Sequence, residues 1–316
     1  MDTIGNWARL VRFPNLLMVI LTQLLLYFCI IRPGIYPDGT EGIADLTGLI
    51  LLVLATVLTA AGGYVINDYF DTKTDSINRP ETVVVTRTVS VHSAIKVHMI
   101  LSGMAVILGF YLAWQIRSVS FAFIFPMVTG LLWIYSAKYK RMVFWGNFIV
   151  SGLSAFVILI VWLYEFFLMR HDGIRFTLAM DSIPWINRLV LAYALFAFLL
   201  TLVREIIKDM EDAGGDRASG SRTLPIAVGL RNARLVTASV IGTTMLLLGY
   251  ALTVLYQLGL YMVFWYMIIT TLAGSAYLLA ELFRAREKKD YHYLSSLCKL
   301  IMVAGILSME VIYISN

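Results

Sequence analysis

Charge is scarce along this chain. Asp, Glu, Lys and Arg make up 14% of its 316 residues, where a soluble domain carries roughly 25%. With 59% hydrophobic residues and a mean hydropathy of +0.79, an ordinary soluble fold is excluded. Cysteine is almost absent. Cys29 and Cys298 both fall inside apolar stretches, which leaves no disulfide framework and no zinc site. Gly-rich phosphate loops, HExxH and Ser/His/Asp signatures are missing as well, so the corresponding nucleotide-binding, zinc and acyl-transfer chemistries have no foothold. Short alternating strands are lacking, which argues against a transmembrane barrel. The four histidines (His92, His98, His171, His292) share no ligand spacing and read as ordinary surface residues in loops or near helix ends.

What the chain has instead is long apolar runs of about 20 residues, each able to cross a bilayer as a helix. The reading is an all-α, polytopic membrane protein. Its nine spans fall near 13–31, 46–67, 94–115, 119–137, 143–168, 187–207, 235–256, 261–282 and 296–314. No cleavable signal peptide is evident, since the first span is too long for an h-region and lacks a cleavage site. Of the 25 Lys and Arg residues, 20 collect on one side of these spans and 5 on the other. By the positive-inside rule the N-terminus is cytoplasmic and the C-terminus outside, in a cell (inner or plasma) membrane. The net charge of +5 is thus a topology signal, and it gives no reason to expect nucleic acid as a partner.

Against this apolar background stand two aspartate triplets of identical spacing, D-x2-D-x3-D. One is Asp68, Asp71 and Asp75, preceded by Asn67; the other is Asp209, Asp212 and Asp216. On a helix this spacing stacks three carboxylates on one face, where like charges repel and hydrocarbon nearby raises the cost. A cation between them removes the conflict. Each triplet begins at the cytoplasmic end of a span, the second and the sixth, so both emerge on one membrane side and are expected to share one site. Hard oxygen donors of this kind suit magnesium, which keeps waters and is bridged by substrate phosphates. The bases Arg79, Lys138, Lys140, Arg141, Arg204, Lys208 and Arg222 lie on the same face and are expected to clamp a diphosphate. A diphosphate at the membrane surface with an apolar body in the bundle describes an isoprenoid diphosphate, and so prenyl transfer.

Other polar and aromatic groups carry less. Glu165, Glu281 and Glu310 lie near span ends and read as interfacial. Tyr64, Trp133 and Tyr135 sit near the inner ends of spans, where a ring face can stabilise a carbocation, although packing is the simpler role for each. The matching triplets also suggest that the single domain, 1–316, is built of two related halves, 1–140 and 141–316.

At these motifs the chain resembles the UbiA superfamily of intramembrane prenyltransferases. The first triplet with Asn67 and the second triplet match that family's two aspartate-rich motifs. The likeness continues through Arg12, Phe13, Pro14 and Asn15, through Tyr135, Ser136 and Lys140, through Gly146 and Asn147, and through Thr223, Leu224 and Pro225. The resemblance implies nine helices around a central cavity with a cytoplasmic cap and a lateral opening for the lipid chain. It implies Mg2+ held by Asn67, Asp68, Asp71, Asp209 and Asp212, and a catalytic set of Asp75, Asp216, Lys140 and Tyr135. Asn15, Tyr64 and Trp133 would line the substrate cavity.

Asn78 and Arg79, with the run Arg204 to Asp212, are similar to the branch that prenylates a geranylgeranylglyceryl phosphate. The loop from Glu81 to Arg87 departs from that branch: an arginine, two prolines and a glycine are gone, so the loop should be less rigid. The expected partners are therefore a prenyl diphosphate, a lipid acceptor and membrane lipids. Prenylation of an aromatic quinone precursor (4-hydroxybenzoate or 1,4-dihydroxy-2-naphthoate type) is the runner-up, and a cation transporter or channel is the competing class.

Overall fold

The computed structural model describes residues 3–36, 43–78, 84–86 and 88–315. The principal helices, in chain order, are α1 (Thr3–Leu10), α2 (Phe13–Leu25), α3 (Ile43–Asn78), α4 (Val91–Gln115), α5 (Ile124–Ala137), α6 (Trp145–Arg170), α7 (Ile183–Ala218), α8 (Leu224–Gln257), α9 (Tyr261–Met267), α10 (Ala273–Arg284) and α11 (Lys288–Ser315), with short helical turns at Arg32–Ile35, Val119–Ala122 and Gly173–Ala179. A π-helical turn, Leu26–Ile31, continues α2, and another, Ile268–Leu272, joins α9 to α10. Among the described residues, nine segments are helical, long enough and apolar enough to cross a membrane. The chain is a multi-pass membrane protein.

The principal difference from the sequence reading lies in the inner connections. The second and sixth apolar spans end near 67 and 207, yet α3 runs on to Asn78 and α7 to Ala218. Both aspartate triplets therefore sit on continuous helix. Lys208, Met210, Glu211 and Ala213 are good helix formers that favour the extension of α7, whereas the extension of α3 runs through mostly weak formers. α7 stops where Gly220 takes a left-handed φ of 78°. There Gly220 N–H donates to Arg217 O and Ser221 N–H to Asp216 O, the paired bonds that satisfy the last carbonyls of a helix. Pro225 then opens α8, where its missing N–H costs nothing.

The chain divides into two compact units. The first comprises Met1–Leu24, Arg32–Lys140 and Leu159–Trp185. In it α3 packs against α4 and α5. Gly62 and Gly63 let this happen. A Cβ on Gly62 would lie 2.9 Å from Ser102 Oγ of α4, and one on Gly63 would lie 2.9 Å from Leu132 of α5. His98 of α4 uses that approach to bond Gly62 O through Nδ1 at 2.9 Å. It is buried in the helix, so the surface reading of this histidine is corrected. Glu165 is likewise fully buried in α6, not interfacial. Leu10, Val65, Val84, Val85, Val89 and Ala94 form one apolar cluster in this unit. Val84 and Val85 lie within the altered loop and Val89 just after it, so burial anchors this part of the chain where the prolines and glycine are missing.

The second unit comprises Leu25–Ile31, Arg141–Ile158 and Ile186–Asn316. Its core joins α7, α8, α10 and α11 through Val203, Ile206, Ile207, Met210, Ala233, Leu278, Leu282, Leu294 and Cys298. Arg234 of α8 donates to the Tyr291 hydroxyl of α11 through Nε (3.0 Å) and Nη2 (2.7 Å) and lies over its ring.

Candidate active site

In the first unit α3 presents Tyr64, Asn67, Asp68, Asp71 and Asp75 at helical spacing, so successive turns add one polar group each to the same side. Asn67 and Asp71 are buried, while Asp68 and Asp75 are half-buried. Two cations answer them. Arg12 donates through Nη2 to Asp68 Oδ1 at 2.9 Å, and its guanidinium lies 5.0 Å from the centre of the Tyr64 ring. Lys140, in the turn after α5, bonds Asn67 Oδ1 at 3.1 Å and pairs with Asp71 Oδ2. Asn67 Nδ2 donates to that same Asp71 oxygen at 2.8 Å.

Arg12 reaches Asp68 from the joint between α1 and α2, where it adopts a φ of 51°. A side chain other than glycine is rarely found there, and the strain is held by the contacts its guanidinium makes. Burial opposes the charge of both Arg12 and Lys140, but Asp68 for the one and Asp71 for the other outweigh it, and both groups hold their protons more tightly than usual. Asp75 moves the other way. Burial, then Asp71 and Asp68, push its carboxyl up to about 6 against the pull of Lys140 and Arg12.

In the second unit the triplet of α7 has a different environment. Asn147, buried at the start of α6, donates through Nδ2 to Asp209 Oδ2 at 2.8 Å. Asp212 and Asp216 are half-buried. Just before Asp212, buried Glu211 pairs with His292 Nδ1 at 3.1 Å. Arg204 is paired with its neighbour Glu205 at 2.6 Å.

Several expected residues therefore gather on their own triplet, and others do not. Lys140 touches the first triplet, and Tyr135 is buried one turn before the end of α5, close enough to act on the charge of Lys140. Tyr64 lies under Arg12. Trp133 packs edge-on to Phe70 at 5.8 Å and beside His98 at 5.2 Å. Asn15 is half-buried at the start of α2. Lys138, Arg141 and Arg222 are exposed, and Lys208 is half-buried. The backbone N–H of Arg222 donates to Arg141 O at 2.9 Å, which ties those two segments together. Arg79 lies outside the described residues. Arg12 and Asn147 were not among the expected site residues, although both stand inside stretches that carry the family likeness.

Among the described residues no three carboxylate, thiolate or imidazole groups close a cage around one point. The donors come as short ladders along a helix instead. That arrangement suits a cation whose remaining positions are filled by water and phosphate oxygens.

The fold and both motifs define a class, an intramembrane enzyme of the aspartate-rich prenyl-transferring type. The chain belongs to the UbiA prenyltransferase family, whose model matches residues 39–303. It is 33% identical to digeranylgeranylglyceryl phosphate synthase of Thermococcus kodakarensis over 62% of this chain and 62% of that protein. It is 32% identical to the synthase of Methanothermobacter thermautotrophicus over 80% of this chain and 81% of that one. A solved structure from work on digeranylgeranylglyceryl phosphate synthase in membranes superposes with a TM-score of 0.65 at 23% identity, covering 100% of both chains. That of a UbiA homolog from Archaeoglobus fulgidus bound to GPP and Mg2+ gives 0.60 at 13% identity, over 96% of this chain and 99% of that one. These two likenesses establish the fold.

Proposed function

We propose that this protein transfers a prenyl group from an isoprenoid diphosphate to a prenylglyceryl phosphate, with magnesium as cofactor. The observation that carries the reading is the convergence of Asn67 Oδ1 and Asp71 Oδ2 on a single cation, the Lys140 ammonium. Oxygens so arranged are hard donors aimed at one point, and the donor set fits magnesium. Asn67, Asp68 and Asp71 would hold it at the first motif, and Asp209 and Asp212 at the second. Magnesium, when bound, neutralises the charge that builds on a departing diphosphate.

The remaining work falls to the chain's own groups. Lys140 and Arg12, both firmly protonated, can donate charge-assisted hydrogen bonds to diphosphate oxygens. Lys138, Arg141, Arg204, Lys208 and Arg222 are further bases for the diphosphate or for a phosphate on the acceptor. Asn147 fixes one oxygen of Asp209 by donating to Oδ2. Asp75, with its raised acid, can take a proton from the acceptor hydroxyl as the new ether bond forms. Tyr64 and Tyr135 offer ring faces to a developing allylic cation. The curated relatives named as digeranylgeranylglyceryl phosphate synthases favour the glyceryl-phosphate acceptor over an aromatic one. The 20-to-5 distribution of basic residues supports a cytoplasmic site.

Purified protein given radiolabelled geranylgeranyl diphosphate, magnesium and a panel of acceptors tests this. Label is expected in an ether lipid with geranylgeranylglyceryl phosphate, and not with 4-hydroxybenzoate or 1,4-dihydroxy-2-naphthoate. Label in an aromatic product would reassign the acceptor. No labelled product with any acceptor, combined with ion flux in vesicles, would overturn the enzyme reading.

A further inference from the structure

Lys140 lies on the atoms that a metal at the first motif would need. Its ammonium bonds Asn67 Oδ1 and Asp71 Oδ2, and Arg12 covers Asp68 Oδ1 in the same way. Asp68 and Asp71 are thus each matched by one internal cation. The ammonium is well held, with only 35% of the Lys140 side chain and 10% of that of Asp71 exposed. A divalent ion arriving alone would have to evict Lys140 from both oxygens. The evicted ammonium would then sit half-buried beside a doubly charged ion, having lost its pairing with Asp71, and that loss opposes metal entry. A diphosphate changes the balance. Its oxygens take the displaced ammonium in a charge-assisted bond and at the same time complete the coordination of the metal.

We infer that Lys140 is a resident counter-ion that makes metal entry at the first motif conditional on the diphosphate, so that the two enter together. This rests on the magnesium and diphosphate reading given above. By linkage the coupling is reciprocal: whatever factor diphosphate adds to metal affinity, metal adds to diphosphate affinity.

The test is Mn2+ binding to the full-length protein in nanodiscs, followed by electron paramagnetic resonance, with and without inorganic diphosphate. Asp71→Ala marks the part of the signal that belongs to the first motif. Wild type is expected to bind Mn2+ there about tenfold or more tightly with diphosphate than without, and Lys140→Met is expected to bind it about as tightly without diphosphate as with it. Lys140→Gln, which keeps a polar end against Asn67, should behave as Lys140→Met does if the charge is what matters. Thermal unfolding confirms that each variant is folded. Wild-type binding that is equal with and without diphosphate would overturn the coupling alone. So would variants that bind Mn2+ no better than wild type without diphosphate. No Mn2+ at the first motif under any condition would overturn the metal reading along with it.

Discussion

At Asp75, one turn past Asp71 on α3, burial and the carboxylates of Asp71 and Asp68 raise the acid from the usual 3.8 to about 6. The folded metal-free protein therefore holds a proton that the unfolded chain releases. The stability this contributes is complete below about pH 4 and is lost as pH rises through about 6. Thermal unfolding without metal should show a lower midpoint at pH 7.5 than at pH 5, and Asp75→Asn should flatten that slope. Arg12 makes a second prediction. Removing its guanidinium leaves Asp68 without the partner seen here, so Arg12→Gln should lower turnover about tenfold or more, the scale of one charge-assisted hydrogen bond. Asp71→Ala and Asp212→Ala should abolish turnover while the protein still inserts and folds, with Asp71→Ala unfolding at a lower midpoint because Lys140 loses its partner; near-normal activity in either would remove that residue from the site. The carboxylates were legible in the sequence because spacing alone stacks them. Their partners were not. Arg12 is separated from Asp68 by 56 positions and Asn147 from Asp209 by 62, and no local periodicity ties such pairs.

Among the elements, α4 and α5 meet where Gly109 faces Phe125. A Cβ at Gly109 would be driven into that ring, which is itself buried. Gly109→Val should destabilise the protein by about 1–3 kcal/mol, the usual cost of overpacking, read as a lower unfolding midpoint in detergent. Span positions were legible from hydropathy to within a few residues in most cases, because a bilayer imposes one length on every helix. The inner ends were not. Residues 68–78 and 208–218 are polar, and polarity reads as loop until the helix below is seen to continue through them. His98 was missed for a related reason. A lone histidine carries no spacing signal, and its place was decided by Gly62, a residue on another helix that leaves a carbonyl open to it. The loop after Asp75 shows the same limit, since its altered composition gave no hint that Val84, Val85 and Val89 would be buried against Leu10 and Val65.

For the molecule as a whole, sidedness is the property with the most direct test. Leu258 and Glu287 are exposed ends of connections that the charge distribution places on opposite faces. Cys29 and Cys298 are both buried, so background labelling should be low. A membrane-impermeant maleimide should label Leu258→Cys in intact cells and Glu287→Cys only after permeabilisation; the reverse pattern would invert the topology and move the aspartate motifs outside. Class, span number and the chemistry of the acidic faces were determined by the sequence itself, because hydrocarbon thickness and like-charge repulsion act on local composition and spacing. Which cation meets which carboxylate was decided only by tertiary structure, because that depends on residues far apart in the chain being carried to one helix face. Asp68 and Asp71 are accordingly found already paired, the one with Arg12 and the other with Lys140.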